Sequence, residues 1–206
     1  MNKIVEHWDT KHRNNDIKYL SGTNPKTVFK ILKTNKYIVP DANVLVIGVG
    51  MGYDITELVD KKCNVYALDI SKIALDRVKC YTIDGFLSSE IERLPDNTFD
   101  LVMSYLVSIH MTDDDLIRQI SCVVKSLKAK GVFAMQVTNL DQLDTEKFNK
   151  LSWQMEGCFT RSIEAMKIIV KIAGGKIKFI SKLIPEPTHQ FNHEENKFWY
   201  TIHITK

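Results

Sequence analysis

The sequence predicts an open, doubly wound α/β domain, a parallel sheet with helices on both faces, and three observations carry that reading. Val44, Leu45, Val46 and Ile47 form an unbroken, mostly β-branched apolar run, the pattern of a strand buried on both faces. The run leads straight into Gly48, Gly50 and Gly52, after which Ile55, Leu58 and Val59 recur at helical spacing. A second apolar run, Asn64 to Leu68, ends in Asp69, about 20 residues beyond Gly48, the spacing that brings an acid to a ribose diol. A tight turn out of a strand needs φ > 0 at some positions and, at others, a backbone with no Cβ so that a ligand can come close. Strand, glycine turn, helix and spaced acid together make a nucleotide cradle.

The other elements follow in chain order. Ile4 to His12 has helical periodicity with Val5, Trp8 and His12 near one face. Asn24-Pro25 opens a second helix, Asn as cap and Pro at the first position, where its missing N–H is harmless; Val28, Ile31 and Leu32 supply the buried stripe. Ser71 caps a short helix with Ile73, Ala74 and Val78 inward, and a weakly marked third strand spans Cys80 to Ile83, followed by Asp84. Phe99 to Ser104 is the fourth strand. Thr112 and Asp115 have capping-box spacing, and Asp113 and Asp114 suit a helix N-terminus; the three acids are read as start signals, not as a metal site. Leu116, Ile120, Val123, Val124 and Leu127 form that helix's inward stripe. Gly131 is expected to end it, with Val132 to Val137 as strand five. Ser162 or Thr160 starts a last helix with Ile163, Met166, Ile169 and Val170 inward, stopped by Gly174-Gly175. Strands six (Ile177 to Ile184) and seven (Phe198 to Ile204) close the sheet.

The chain's 206 residues, 44% of them hydrophobic, suffice for one good-sized core. The net charge of +3 is spread over interleaved Lys and acids, which argues against a nucleic-acid partner. Cys63, Cys80, Cys122 and Cys158 lack metal-ligand spacing; no metal is expected. With no apolar leader and no apolar run of membrane-spanning length, a reduced, cytoplasmic protein is the expectation. Oligomeric state is not legible.

The turn also says which nucleotide. A dinucleotide fingerprint, G-x-G-x-x-G, would put Gly or Ala at position 53; here Tyr53 stands there and the third glycine arrives one residue earlier. With Leu94-Pro95-Asp96-Asn97-Thr98-Phe99-Asp100-Leu101-Val102 and Leu127-Lys128-Ala129-Lys130-Gly131, the stretch from Val44 to Val137 resembles the class I S-adenosylmethionine-dependent methyltransferases. The resemblance implies a Rossmann-like sheet of seven strands, mostly parallel with an antiparallel last strand. It implies one domain over 1–206: an N-terminal helical arm (1–40), a cofactor-binding core (41–137) and an acceptor-side segment with the closing strands (138–206).

It further implies site roles. Gly48, Val49, Gly50 and Gly52 would face the methionyl part of S-adenosylmethionine, Asp69 the ribose and Ile70 the adenine face. Asp84 would meet the adenine amino group, with Ser88 or Ser89 as the alternative. Ser104 at the end of strand four and Tyr105 and His110 beyond it lie near the point where strand order reverses and ligands bind; His110 is the candidate general base. Trp8, Tyr19 and His189 are candidates for the wall of a pocket for a small-molecule acceptor. Many relatives carry an acid where this chain has Val46, so the cofactor's amino group needs another partner. The segment after strand four lacks the Asn/Asp-Pro-Pro-aromatic signature of amino-nucleobase methyltransferases, which favours a metabolite. An RNA or protein acceptor, or a non-catalytic cofactor-binding module, are the alternatives.

Overall fold

The computed structural model describes residues 3–14, 24–138, 159–181 and 199–206; Tyr19, His189, Cys158 and the parts of the acceptor-side segment at 139–158 and 182–198 lie outside them. The strands are β1 (Asn43–Ile47), β2 (Asn64–Asp69), β3 (Asp84–Leu87), β4 (Phe99–Ser104), β5 (Leu127–Thr138), β6 (Lys176–Ile180) and β7 (Trp199–Thr205). They form one sheet in the order β3-β2-β1-β4-β5-β7-β6. Strands β1 to β5 pair in parallel, and β7 runs antiparallel to β5 and β6. The mixed seven-stranded sheet of the sequence reading is the sheet observed.

Side-chain alternation along each strand sorts the core into two layers. On one face Leu45, Ile47, Leu68, Val102 and Phe133 pack with α5 (Asp113–Ser126) and α6 (Ile163–Ile172) through Leu116, Ile120, Val123, Met166 and Val170. On the other, Val44, Val46, Val65, Ala67 and Leu101 meet α2 (Pro25–Ile31), α3 (Tyr53–Asp60) and α4 (Lys72–Val78) through Phe29, Ile55, Leu58, Ala74 and Val78. The helix starts are built as their cap residues dictate: Ser71, Thr112 and Ser162 each accept the backbone N–H three residues on.

Two boundaries differ from the sequence reading. The third strand is Asp84–Leu87 rather than Cys80 to Ile83; Asp84 pairs with Tyr66 and Leu87 with Asp69. Its apolar signal is only Phe86 and Leu87, too short to outweigh the Tyr81–Ile83 cluster, whose Tyr81 and Ile83 are in fact exposed. Strand β5 begins at Leu127, not after Gly131. Pairing jumps from Phe99–Leu127 to Leu101–Val132, a bulge that absorbs Lys128–Gly131. A Cβ on Gly131 would lie 2.5 Å from the Phe99 carbonyl oxygen, so this glycine serves close strand approach instead of a helix stop. Lys128 pairs with Asp100 at 2.6 Å, and Asp100 also accepts the Asn43 N–H.

Beyond β4 the chain makes a 3-10 turn, Ser108–His110. Arg161, 4% exposed, holds that turn from the far side: its guanidinium donates to the carbonyls of Ser108 (3.0 Å) and Met111 (2.5 Å) and to Asp113 Oδ1 (2.7 Å). This buried cation sets the height of His110 above the sheet.

Candidate active site

Strand order reverses between β1 and β4, and at their carboxyl ends lies a cavity of about 490 Å³, within the range of small-molecule sites. Its floor is the glycine turn. Gly48, Gly50 and Gly52 all have positive φ, at 78°, 52° and 85°, a region costly for other residues. Gly48 makes room for the segment after β4, since a Cβ there would sit 2.2 Å from Val107 Cγ2. Gly52 is different from its expected role. It caps α3 with Val78 Cγ1 2.7 Å from where a Cβ would be, and it does not line the cavity; its bareness permits helix packing.

Asp69 ends β2 and is 6% exposed. Its Oδ2 accepts the Val49 N–H and its Oδ1 the Ser71 N–H, each at 2.8 Å. The carboxylate therefore ties the glycine turn to the start of α4 while facing the cavity. Burial pushes its carboxyl up to about 6, opposed by the N–H groups of Ser71, Val49, Ile70 and Gly50. Val49 and Ser71 supply the two short bonds, one on each carboxylate oxygen.

Of the residues expected on sequence grounds, Gly48, Val49, Gly50, Asp69, Ile70, Tyr105, His110 and Trp8 all line the cavity. Asp84 does not. It opens β3 at the opposite, amino end of the sheet and is exposed; Ser88 and Ser89 follow the strand and do line the cavity. Ser104 also falls outside the lining. It pairs with Ile47, is 1% exposed, and its hydroxyl lacks a hydrogen-bond partner in the described structure.

Helix α1 (Lys3–Arg13) covers the cavity with Ile4, Val5, Trp8 and His12. The rings of Trp8 and His110 meet edge to face with centroids 5.0 Å apart. Arg77 of α4 fastens this helix to the glycine turn. Its guanidinium donates to His12 Nδ1 (3.0 Å), the His12 carbonyl (3.1 Å) and the Gly50 carbonyl (3.2 Å), and Asp9 bonds Ser71 Oγ. Acceptance of an Arg N–H requires the neutral imidazole. Burial, with Arg77 beside it and Asp9 opposing, lowers His12 from 6.5 to about 4.

The sign of the linkage follows. As pH falls from 6.5 toward 4, undocked His12 takes up a proton that the docked ring refuses, so its contribution is present above 6.5 and lost through about 4. Hydrogen-exchange protection of the α1 amides is expected to fall over that window while β1 and β4 stay protected. Equal loss in all three would show that docking does not depend on His12.

Several cavity residues escaped the sequence reading. Asp54 stands in the first turn of α3, a place that two-residue spacing from Gly52 could have signalled. Asp115, Arg118 and Gln119 of α5 reach the cavity as well, with no linear signal. Asp115 closes the Thr112 cap through its Oδ2 at 2.7 Å. Arg118 grips Glu92 at 2.5 and 2.7 Å and the Ser89 carbonyl at 3.3 Å, steadying the turn that carries Ser88 and Ser89. Among the described residues no group of His, Cys, Asp or Glu is arranged to hold a metal ion, and no helix is long and apolar enough to cross a membrane.

A nucleotide-cradling doubly wound sheet with a lidded cavity at its switch point defines the class. The family model described as a methyltransferase domain matches residues 45–135. No curated protein sequence matches the chain. Among solved structures, a Mesorhizobium loti S-adenosylmethionine-dependent methyltransferase is 16% identical (TM-score 0.66), with 87% of this chain and 98% of that one covered. Magnesium protoporphyrin IX methyltransferase from Synechocystis, with S-adenosylhomocysteine bound, is 15% identical (TM-score 0.63; 88% and 83% covered). The protein assigned as a methyltransferase in complex with the Haloferax volcanii Trm112 activator is 17% identical (TM-score 0.65; 98% and 97% covered). At such identities the structural likeness speaks for the fold. Taken with the matched domain, the chain carries a methyltransferase domain on the fold of the S-adenosylmethionine-dependent methyltransferases, which makes S-adenosylmethionine its cofactor.

The residues present fit that cofactor. The bare glycine backbone, the carboxylate at the end of β2, the apolar Ile70 beside it and the serines after β3 all converge on one cavity.

Proposed function

We propose that this methyltransferase acts on a small-molecule acceptor by in-line displacement, with release of S-adenosylhomocysteine. The observation that carries the reading is the enclosure of the cavity: α1 is fastened across it by Arg77, and Trp8 closes against His110. A roofed cleft of this size suits a metabolite better than a polymer.

S-adenosylmethionine supplies an electrophilic methyl group on a sulfonium. The acceptor lone pair forms the new bond to carbon as the carbon–sulfur bond breaks and its electron pair returns to sulfur. Asp69 would accept the ribose hydroxyls, Ile70 would pack on the adenine, and Ser88 or Ser89 would meet its amino group. The bare turn at Gly48 to Gly50 would admit the methionyl chain, while α1 excludes water. Positioning of this kind accounts for roughly 7–11 kcal/mol of barrier lowering. His110 would take the proton from a hydroxyl or amine acceptor.

Transfer of a labelled methyl group into a fractionated metabolite extract tests the reading; label appearing only in RNA or protein would overturn it. His110→Gln is expected to lower kcat by roughly 10²–10⁴-fold with S-adenosylhomocysteine affinity within twofold of the parent. An unchanged kcat removes His110 from the proton transfer. The cytoplasm is the proposed compartment, supported by four cysteines without paired spacing.

A further inference from the structure

The methionyl end of the cofactor carries an ammonium group, and a buried cation requires an anionic or carbonyl partner. Among the described residues three carboxylates line the cavity: Asp54, Asp69 and Asp115. Asp69 is held by the Val49 and Ser71 N–H groups, and Asp115 is engaged with the Thr112 hydroxyl. The Asp54 carboxylate makes no hydrogen bond or ion pair with any described residue. The Arg or Lys side chain that shares the cavity wall among the described residues, Arg118, is bound to Glu92 and the Ser89 carbonyl. Val46, beneath the turn, is 2% exposed and wholly apolar, so no acid rises from β1. Asp54 sits two residues beyond the last glycine, in the first turn of α3, beside Gly50 and Met51 on the cavity wall.

We propose that Asp54 is the counter-ion that receives the α-ammonium group of S-adenosylmethionine and of its product, taking the place that an acid on β1 would otherwise fill. The proposal rests on the cofactor assignment above and adds to it the residue that reads the amino-acid end. Burial pushes the Asp54 carboxyl up to about 7, as expected for a carboxylate enclosed without a counter-charge. An arriving ammonium supplies that charge.

The test is calorimetric titration of the full chain with S-adenosylhomocysteine and with its deamino analogue, which keeps the carboxylate but lacks the ammonium. Asp54→Asn, which preserves shape, is expected to weaken S-adenosylhomocysteine by at least about tenfold, the effect of a hydrogen bond to a charged group, and to leave the deamino analogue within twofold. For the unaltered chain, the deamino analogue is expected to bind at least about tenfold more weakly than S-adenosylhomocysteine. Equal affinity of the unaltered chain for the two ligands overturns the proposal without any variant. So does an Asp54→Asn chain, folded by circular dichroism, that loses affinity for both ligands alike or for neither. Failure of the unaltered chain to bind either ligand overturns the cofactor assignment itself, a result distinct from the other two.

Discussion

Asp69→Ala is expected to weaken S-adenosylhomocysteine by roughly 2–3 kcal/mol and to destabilise the fold by roughly 2–4 kcal/mol in the same variant. The two losses have separate causes. Binding falls because the ribose loses a charged acceptor. Stability falls because the N–H groups of Val49 and Ser71, both bonded to this carboxylate at 2.8 Å, are left buried without a partner. Calorimetry reads the first and urea unfolding the second. Unchanged affinity in a folded variant would refute the ribose assignment; unchanged stability would refute the tie between turn and helix. The pH profile separates the roles further. With the carboxyl raised to about 6 in the fold against 3.8 unfolded, the folded chain holds the extra proton between those values. Its contribution to stability is therefore fully present at the acid end and is lost as pH rises through about 6. Cofactor affinity should run the other way and weaken below about pH 6, where the carboxylate is protonated. The Asp69→Ala chain should lack both dependences.

Gly48→Ala is expected to cost roughly 2–5 kcal/mol. Left-handed backbone at φ 78° is disfavoured by roughly 1–2 kcal/mol for a residue with a Cβ. The new methyl would lie 2.2 Å from Val107 Cγ2, an overpacking of about 1–3 kcal/mol. At this chain length the melting temperature should drop by roughly 5–15 °C. Val107 belongs to the segment that ends in His110, so its retreat should also displace the proposed proton acceptor and lower kcat. Adding Val107→Ala relieves the clash but not the dihedral strain, and should restore about half of the lost stability. Full restoration, or none, would show that one of the two causes has been misjudged.

The fold was legible because its signals are local. A β-branched run buried on both faces, glycines where φ must be positive, and Ser or Thr caps three residues ahead of the N–H groups they satisfy are each readable within a few positions. The resemblance covered Val44 to Val137 for the same reason. The third strand misled because Phe86 and Leu87 form a weaker apolar run than Tyr81 to Ile83, and edge strands need little apolar surface. That shift moved Asp84 to the far end of the sheet, away from the cavity that Ser88 and Ser89 line. Gly131 misled because a glycine in a bulge and a glycine after a helix look alike in one dimension.

The sequence by itself determined the doubly wound sheet, the cofactor cradle and the acid at the end of β2, since strand, turn and spacing all act along the chain. Only the tertiary structure decided which polar groups share the cavity. Arg77 reaches back to His12 and Gly50, Arg161 fixes the height of His110, Trp8 closes on it, and Asp54 is left as a carboxylate with no partner among the described residues. Those pairings join residues tens of positions apart, and packing of helices on the sheet, not spacing along the backbone, brings them within hydrogen-bond range.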